Sequence, residues 1–159
     1  MRRTDNPTTV EAVIRSHKTV VWPDANDIRK SVKTRPLYGA SITNYVLEEW
    51  NVFLGGDVVD VDFWVEHILP EKPRDGWEIF SKEQHELSKD LLANLLPLTQ
   101  RMNQELSNGP YQLKRKTYQQ DSCFKAARKF ADDYFIWDPE ALDRRSEELA
   151  EWAVLRWRF

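Results

Sequence analysis

Hydrophobic and polar residues change their spacing several times along this chain. "TVEAVIRSH" puts Val10, Val13 and Ile14 on one stripe, which predicts a helix. "VVWPDANDIRKSV" predicts a second helix starting near Asp24, a residue that can cap free N–H groups. In "SITNYVLEEWNVFL", Ile42, Tyr45, Val46, Glu49, Trp50 and Phe53 recur at helical spacing, and Gly55-Gly56 ends the run. The period then shortens. "DVVDVDFWVEHI" alternates Val59, Val61 and Phe63 with Asp60, Asp62 and Trp64, which predicts a strand near 61–67.

"PEKPRDGW" reads as a loop, and Ser81 with Gln84 reads as a capping box opening a helix to about Lys89. "NLLPL" is a short strand that Pro97 confines to an edge or an end. Thr99 caps a helix carrying "QRMNQELSN", and Asn108-Gly109-Pro110 breaks it. "YQLKRKTY" and "SCFKAARKFADDYF" predict two more helices. The last helix starts at Asp138-Pro139-Glu140 and carries Leu142, Leu149, Trp152, Ala153 and Trp157 on one stripe. The expected fold is mainly α with a small two-stranded antiparallel β element. It divides into a helical lead-in (1–58), a central unit (59–108) and C-terminal helices (109–159).

Composition adds bounds. The 159 residues suffice for one domain with a real core. The seven tryptophans read first as packing residues, and only second as nucleic-acid stacking groups. The single cysteine, Cys123, excludes an internal disulfide and a Cys-rich zinc site. There is no secretory leader and no membrane-length apolar run, so the expected location is the cytoplasm with no membrane partner. The net charge of −3 argues against a generally basic nucleic-acid binder. Charge is nonetheless segregated. Residues 47–90 hold 12 acidic and 4 basic side chains, residues 101–130 hold 7 basic and 2 acidic, and residues 131–151 hold 8 acidic and 2 basic. The middle block can be an electrostatic footprint for an anion, or a set of solvated helix faces.

The chemistry concentrates in the central unit. His67 closes the first strand, Asn94 opens the second and Asn103 lies one turn into the following helix. Glu66 stands directly beside His67. A carboxylate and an amide oxygen are hard donors suited to Mg²⁺ or Mn²⁺. A neutral histidine nearby can take a proton from water near pH 7. Together these are the parts of metal-assisted phosphodiester hydrolysis. Adjacent strand residues point to opposite faces, however, so Glu66 and His67 share a site only if the strand is distorted or the site is reached from two sides. Asp60 or Asp62 could serve the metal instead. His85, on a polar helix, and His17 read as surface residues. Arg144 and Arg145 read as structural.

"EHILP", "ANLLPLTQRMNQELSN", "KRKTYQQDS" and "RRSEELAEWAVLRW" resemble the C-terminal nuclease domain of GmrSD-type restriction enzymes, in the HNH or ββα-metal superfamily. The resemblance runs from about Trp22 to Trp157. It implies His67 as general base and Asn94 as the brace that positions it. It implies Asn103 and Glu66 as ligands of a divalent metal, Mg²⁺ or Mn²⁺. Glu71 stands where the family often has glutamine, and Ala93 where glycine is common. The basic residues Arg101, Lys114, Arg115 and Lys116 are then expected on DNA phosphates. The implied function is a metal-dependent DNA endonuclease or nickase in bacterial restriction or anti-phage defence. The implied partner is an N-terminal, nucleotide-dependent regulatory domain, with this chain a fragment of the larger protein. The rival is an inactive DNA- or partner-binding module that keeps the fold.

Overall fold

The computed structural model describes residues 23–58 and 62–157, together with Ala12 and Ser16. The helix expected around Val10, Val13 and Ile14, His17, and the start of the alternating run at Val59–Val61 lie outside the described residues. In chain order the elements are α1 (Ala25–Thr34), α2 (Thr43–Phe53), β1 (Phe63–His67), α3 (Lys82–Ser88), a 3₁₀ turn (Leu92–Asn94), β2 (Leu95–Thr99), α4 (Gln100–Leu106), α5 (Tyr111–Asp121), α6 (Lys125–Asp133) and α7 (Pro139–Trp157). The protein is mostly helical with one two-stranded antiparallel sheet.

Helix starts follow the capping chemistry. The Asp24 carboxylate accepts from the N–H groups of Asn26 and Asp27 at 2.7 and 2.8 Å. Ser81 and Gln84 form the reciprocal box. Thr99 Oγ1 accepts from Met102 N–H, and the Asp138 carboxylate from Ala141 N–H.

β1 pairs with β2 so that Glu66 faces Leu96 and His67 faces Leu95. Pro97 lies mid-strand, opposite Val65. A two-stranded sheet tolerates this because each strand keeps one unpaired edge. β2 begins one residue later than expected: Asn94 ends the 3₁₀ turn instead of opening the strand. Leu95, Leu96 and Leu98 are all fully buried, since helices cover both faces of the sheet. That is why this strand shows no alternation.

The core joins these leucines to Leu47, Trp50, Ile68, Leu69, Phe130, Trp137, Leu149 and Trp152. Phe130 stands at its aromatic centre, with the rings of Trp137 and Tyr134 at 5.0 and 5.1 Å. α1 packs on α7, fastened by the ion pairs Arg29–Glu151 and Lys33–Glu147. Arg145 is buried and donates to the carbonyls of Ala93 and Leu95 at 2.9 and 3.0 Å, which ties α7 to the start of β2. Burial holds its guanidinium down at about 10. Its neighbour Arg144 is exposed and pairs with Glu140.

His85 departs from expectation. It is buried, and its Nε2 meets the Pro70 carbonyl at 2.8 Å. The polar sequence of α3 hides this, because the partner is a backbone group at the end of the "EHILP" segment.

Candidate active site

β1 brings Glu66 and His67 to the same end of the sheet, and α4 follows β2 directly to pack against β1. An open cleft of about 720 Å³ lies there. Its walls include Tyr38, Asn44, Trp64, His67, Glu71 and Asn103.

His67 is held on several sides. Its Nε2 meets Asp90 Oδ1 at 3.2 Å, and the Tyr38 ring lies 4.2 Å from the imidazole. Asp90 is fixed through its backbone: its carbonyl accepts from Leu37 and Tyr38 N–H at 2.7 and 3.2 Å. A carboxylate accepts, so a neutral ring bonded to it carries its proton on Nε2 and keeps a lone pair on Nδ1. Burial pushes the His67 imidazole below its ordinary value, while the bond to Asp90 partly opposes that. The ring is therefore neutral near pH 7.

Asn94 is fully buried and uses both ends of its amide. Its Oδ1 accepts from Leu69 N–H at 2.8 Å and from Trp137 Nε1 at 3.2 Å. Its Nδ2 donates to the carbonyls of Leu69 and Lys89 at 2.9 and 2.8 Å. Its own carbonyl accepts from Ile68 N–H. One side chain thus ties the chain just after His67 to the residue just before Asp90. It touches neither ring nor cleft.

Glu66 and Asn103, expected to share a metal, do meet. Asn103 Nδ2 donates to Glu66 Oε2 at 2.8 Å and to the Val65 carbonyl at 3.3 Å. The Glu66 carboxylate, however, is 3% exposed, and its Oε1 already accepts from Lys114 Nζ at 2.8 Å and Tyr118 Oη at 2.7 Å. Its charge and both oxygens are already engaged by protein donors. Burial raises the Glu66 carboxyl and lowers the Lys114 ammonium, and their mutual attraction opposes both shifts.

Lys114 corrects a second expectation. At 1% exposure it cannot reach a DNA phosphate. Arg115 is half-buried: it donates to the Ala131 carbonyl and lies over the Phe135 ring at 4.2 Å. Lys116 is exposed, and Arg101 is exposed with only a long contact to Glu105 at 3.8 Å.

The sequence reading passed over Glu71 and Asp90. With His67 they offer ligand atoms that all lie within 4.8 Å of one another. Two carboxylates beside an imidazole suit a divalent cation held by the oxygens, with the ring next to it. The lining gives a second reason: none of the described residues that line the cleft is a lysine or arginine, and its acidic side chains are Glu66 and Glu71, so an entering phosphate meets no cationic Lys or Arg there. Asp90 gave no sequence signal because it lies 23 residues from His67. Glu71 was noted only as a departure from the family pattern.

The fold sets a histidine in a cleft beside two carboxylates, on a two-stranded sheet within a helical body, and this cluster could take a metal ion. Residues 22–152 match the family described as "GmrSD restriction endonucleases, C-terminal domain", and the chain belongs to that family. The family points to a nuclease. No curated protein and no solved structure matched the chain. Among the described residues, no helix is long and apolar enough to cross a membrane.

Proposed function

We propose that this chain hydrolyses phosphodiester bonds in DNA at the His67 cleft, as an HNH-type endonuclease or nickase serving restriction of foreign DNA in the cytoplasm. The observation that carries the reading is the place of the His67 ring, bonded to Asp90 at 3.2 Å and lining the cleft beside Glu71. His67 accepts the proton of the attacking water, and Asp90 holds the ring in the tautomer that can do so. Asn94 keeps the His67 and Asp90 segments in register. Arg101 and Lys116 supply phosphate contacts outside the cleft.

Glu71 and Asp90, rather than Glu66 and Asn103, would hold a divalent cation, Mg²⁺ or Mn²⁺, with His67 beside it. Such an ion supplies positive charge to the phosphate and to the departing oxygen. Within the complete protein we expect an N-terminal regulatory domain with nucleotide-dependent activity to control cutting.

The test is cleavage of supercoiled plasmid with Mg²⁺, with Mn²⁺ and with chelator. The reading predicts metal-dependent conversion to nicked or linear product. Mn²⁺ affinity should drop at least about tenfold in Glu71→Gln and Asp90→Asn and stay within about threefold in His67→Ala. Binding of DNA without cleavage in every metal would favour a non-catalytic module instead.

A further inference from the structure

Lys114 sits in a run of three basic residues, yet the helix directs it differently from Arg115 and Lys116. Tyr111, Lys114 and Tyr118 are spaced three and four apart, so they share one stripe of α5, and all three are buried. Tyr111 Oη donates to the Tyr134 carbonyl, while Lys114 and Tyr118 reach the end of β1. There Lys114 Nζ donates to Glu66 Oε1 at 2.8 Å and to the carbonyl of His67 itself at 2.7 Å.

This pair is a costly way to fill a core. Desolvating two ions opposes their attraction, and replacing a buried ion pair with packed apolar side chains is often neutral or stabilising. Its bonds, however, go to one stretch of backbone. Val65 and His67, two residues apart, turn their carbonyls to the same edge of β1. Asn103 takes the first carbonyl and Lys114 the second. Glu66, between them, binds both of those side chains. Asn94 holds the chain on the other side of His67, through Ile68 and Leu69. The main chain that carries the imidazole is thus clamped before and after the residue.

We propose that Lys114 is a positioning residue for the hydrolytic reaction: with Glu66 and Asn103 it fixes the backbone at His67, so that the imidazole meets Asp90 and faces the cleft. It acts through His67 and touches neither DNA nor metal. The inference rests on the reading of His67 as the proton acceptor.

The experiment compares the wild-type chain with Lys114→Met and with the double variant Glu66→Leu/Lys114→Met, which replaces both charges with apolar groups. Three quantities are read: stability in urea, plasmid cleavage as kcat and KM with Mn²⁺, and the His67 imidazole Cε1–H resonance by NMR. The double variant is expected to be more stable than Lys114→Met, which leaves the Glu66 charge unpaired, and less stable than the wild type, because Tyr118 Oη, Asn103 Nδ2 and the His67 carbonyl each lose a partner. Its kcat should stay about 100-fold low with KM within about threefold, the signature of a misplaced group rather than lost DNA binding. The His67 resonance should shift or split in both variants. A folded double variant with wild-type kcat and an unmoved resonance would overturn the proposal. So would a raised KM with kcat intact, because Lys114 would then be a DNA contact, or failure of both variants to fold, because the pair would then be purely structural. If the wild-type chain cleaves no DNA, the nuclease reading falls, and the His67 resonance alone decides the role of Lys114.

Discussion

At the scale of single residues, the site depends on where one proton sits. Burial lowers the proton affinity of His67 more than Asp90 restores it. The folded ring therefore binds a proton less readily than the unfolded one. Between the lowered folded value and about 6.5, the unfolded chain holds more protons, so stability falls as pH falls through that window. Urea denaturation in chelator should show this loss on acidification, with a shallower pH slope in His67→Asn; equal slopes would contradict it. Asp90→Asn removes a raising influence, so the ring should titrate at still lower pH in NMR. The same change should reduce cleavage at pH 7, because the ring loses the carboxylate that orients it. An upward move of the His67 titration would contradict that account.

At the scale of elements, the site is a junction between β1, the 3₁₀ turn and α4. Asn94 makes the junction. Asn94→Ala would leave Leu69 N–H, the Leu69 carbonyl and Trp137 Nε1, all buried, and the half-buried Lys89 carbonyl short of a partner. The expected cost is about 3 kcal/mol, read from urea denaturation. A cost under about 0.5 kcal/mol would mean that water replaces the amide there.

This is also the scale at which the sequence was most and least readable. Asp24, Ser81, Thr99 and Asp138 announced their helices because capping is local chemistry. β1 was legible from alternation. β2 was placed one residue early, because a strand buried on both faces has no period to read. His85 looked exposed because its partner, the Pro70 carbonyl, is a backbone group that no side-chain pattern reveals. Lys114 was grouped with Arg115 and Lys116 by proximity in sequence. The stripe Tyr111–Lys114–Tyr118 was present in the sequence, but a charged member disguised it. His67, Asn94 and Asn103 stand out by spacing and resemblance, and the structure sets His67 and Asn103 in the cleft wall and Asn94 behind it. Asp90 does not, because backbone bonds from Leu37 and Tyr38 and the Asn94 tie to Lys89 bring it to the ring, and none of these shows as a side-chain pattern.

At the scale of the whole molecule, charge sets how DNA would be met. The stretch that holds β1, residues 47–90, carries 12 acidic and 4 basic side chains. Of the 7 basic residues in 101–130, Lys114 is buried and Arg115 half-buried, so fewer remain for phosphate than the count suggests. Affinity for DNA without metal should therefore be weak and fall steeply with salt. Replacing both Arg101 and Lys116 with alanine should flatten the salt dependence by about 2 in slope. An unchanged slope would place the DNA on another face.

The central claim is that His67 takes the proton from the attacking water. The most direct measurement is single-turnover cleavage of DNA by wild type and His67→Ala, at Mn²⁺ concentrations that give both proteins the same metal occupancy. The predicted result is a rate lower by about 10²–10⁴ in His67→Ala, with DNA affinity and fold unchanged. Cleavage by His67→Ala at the wild-type rate would contradict it.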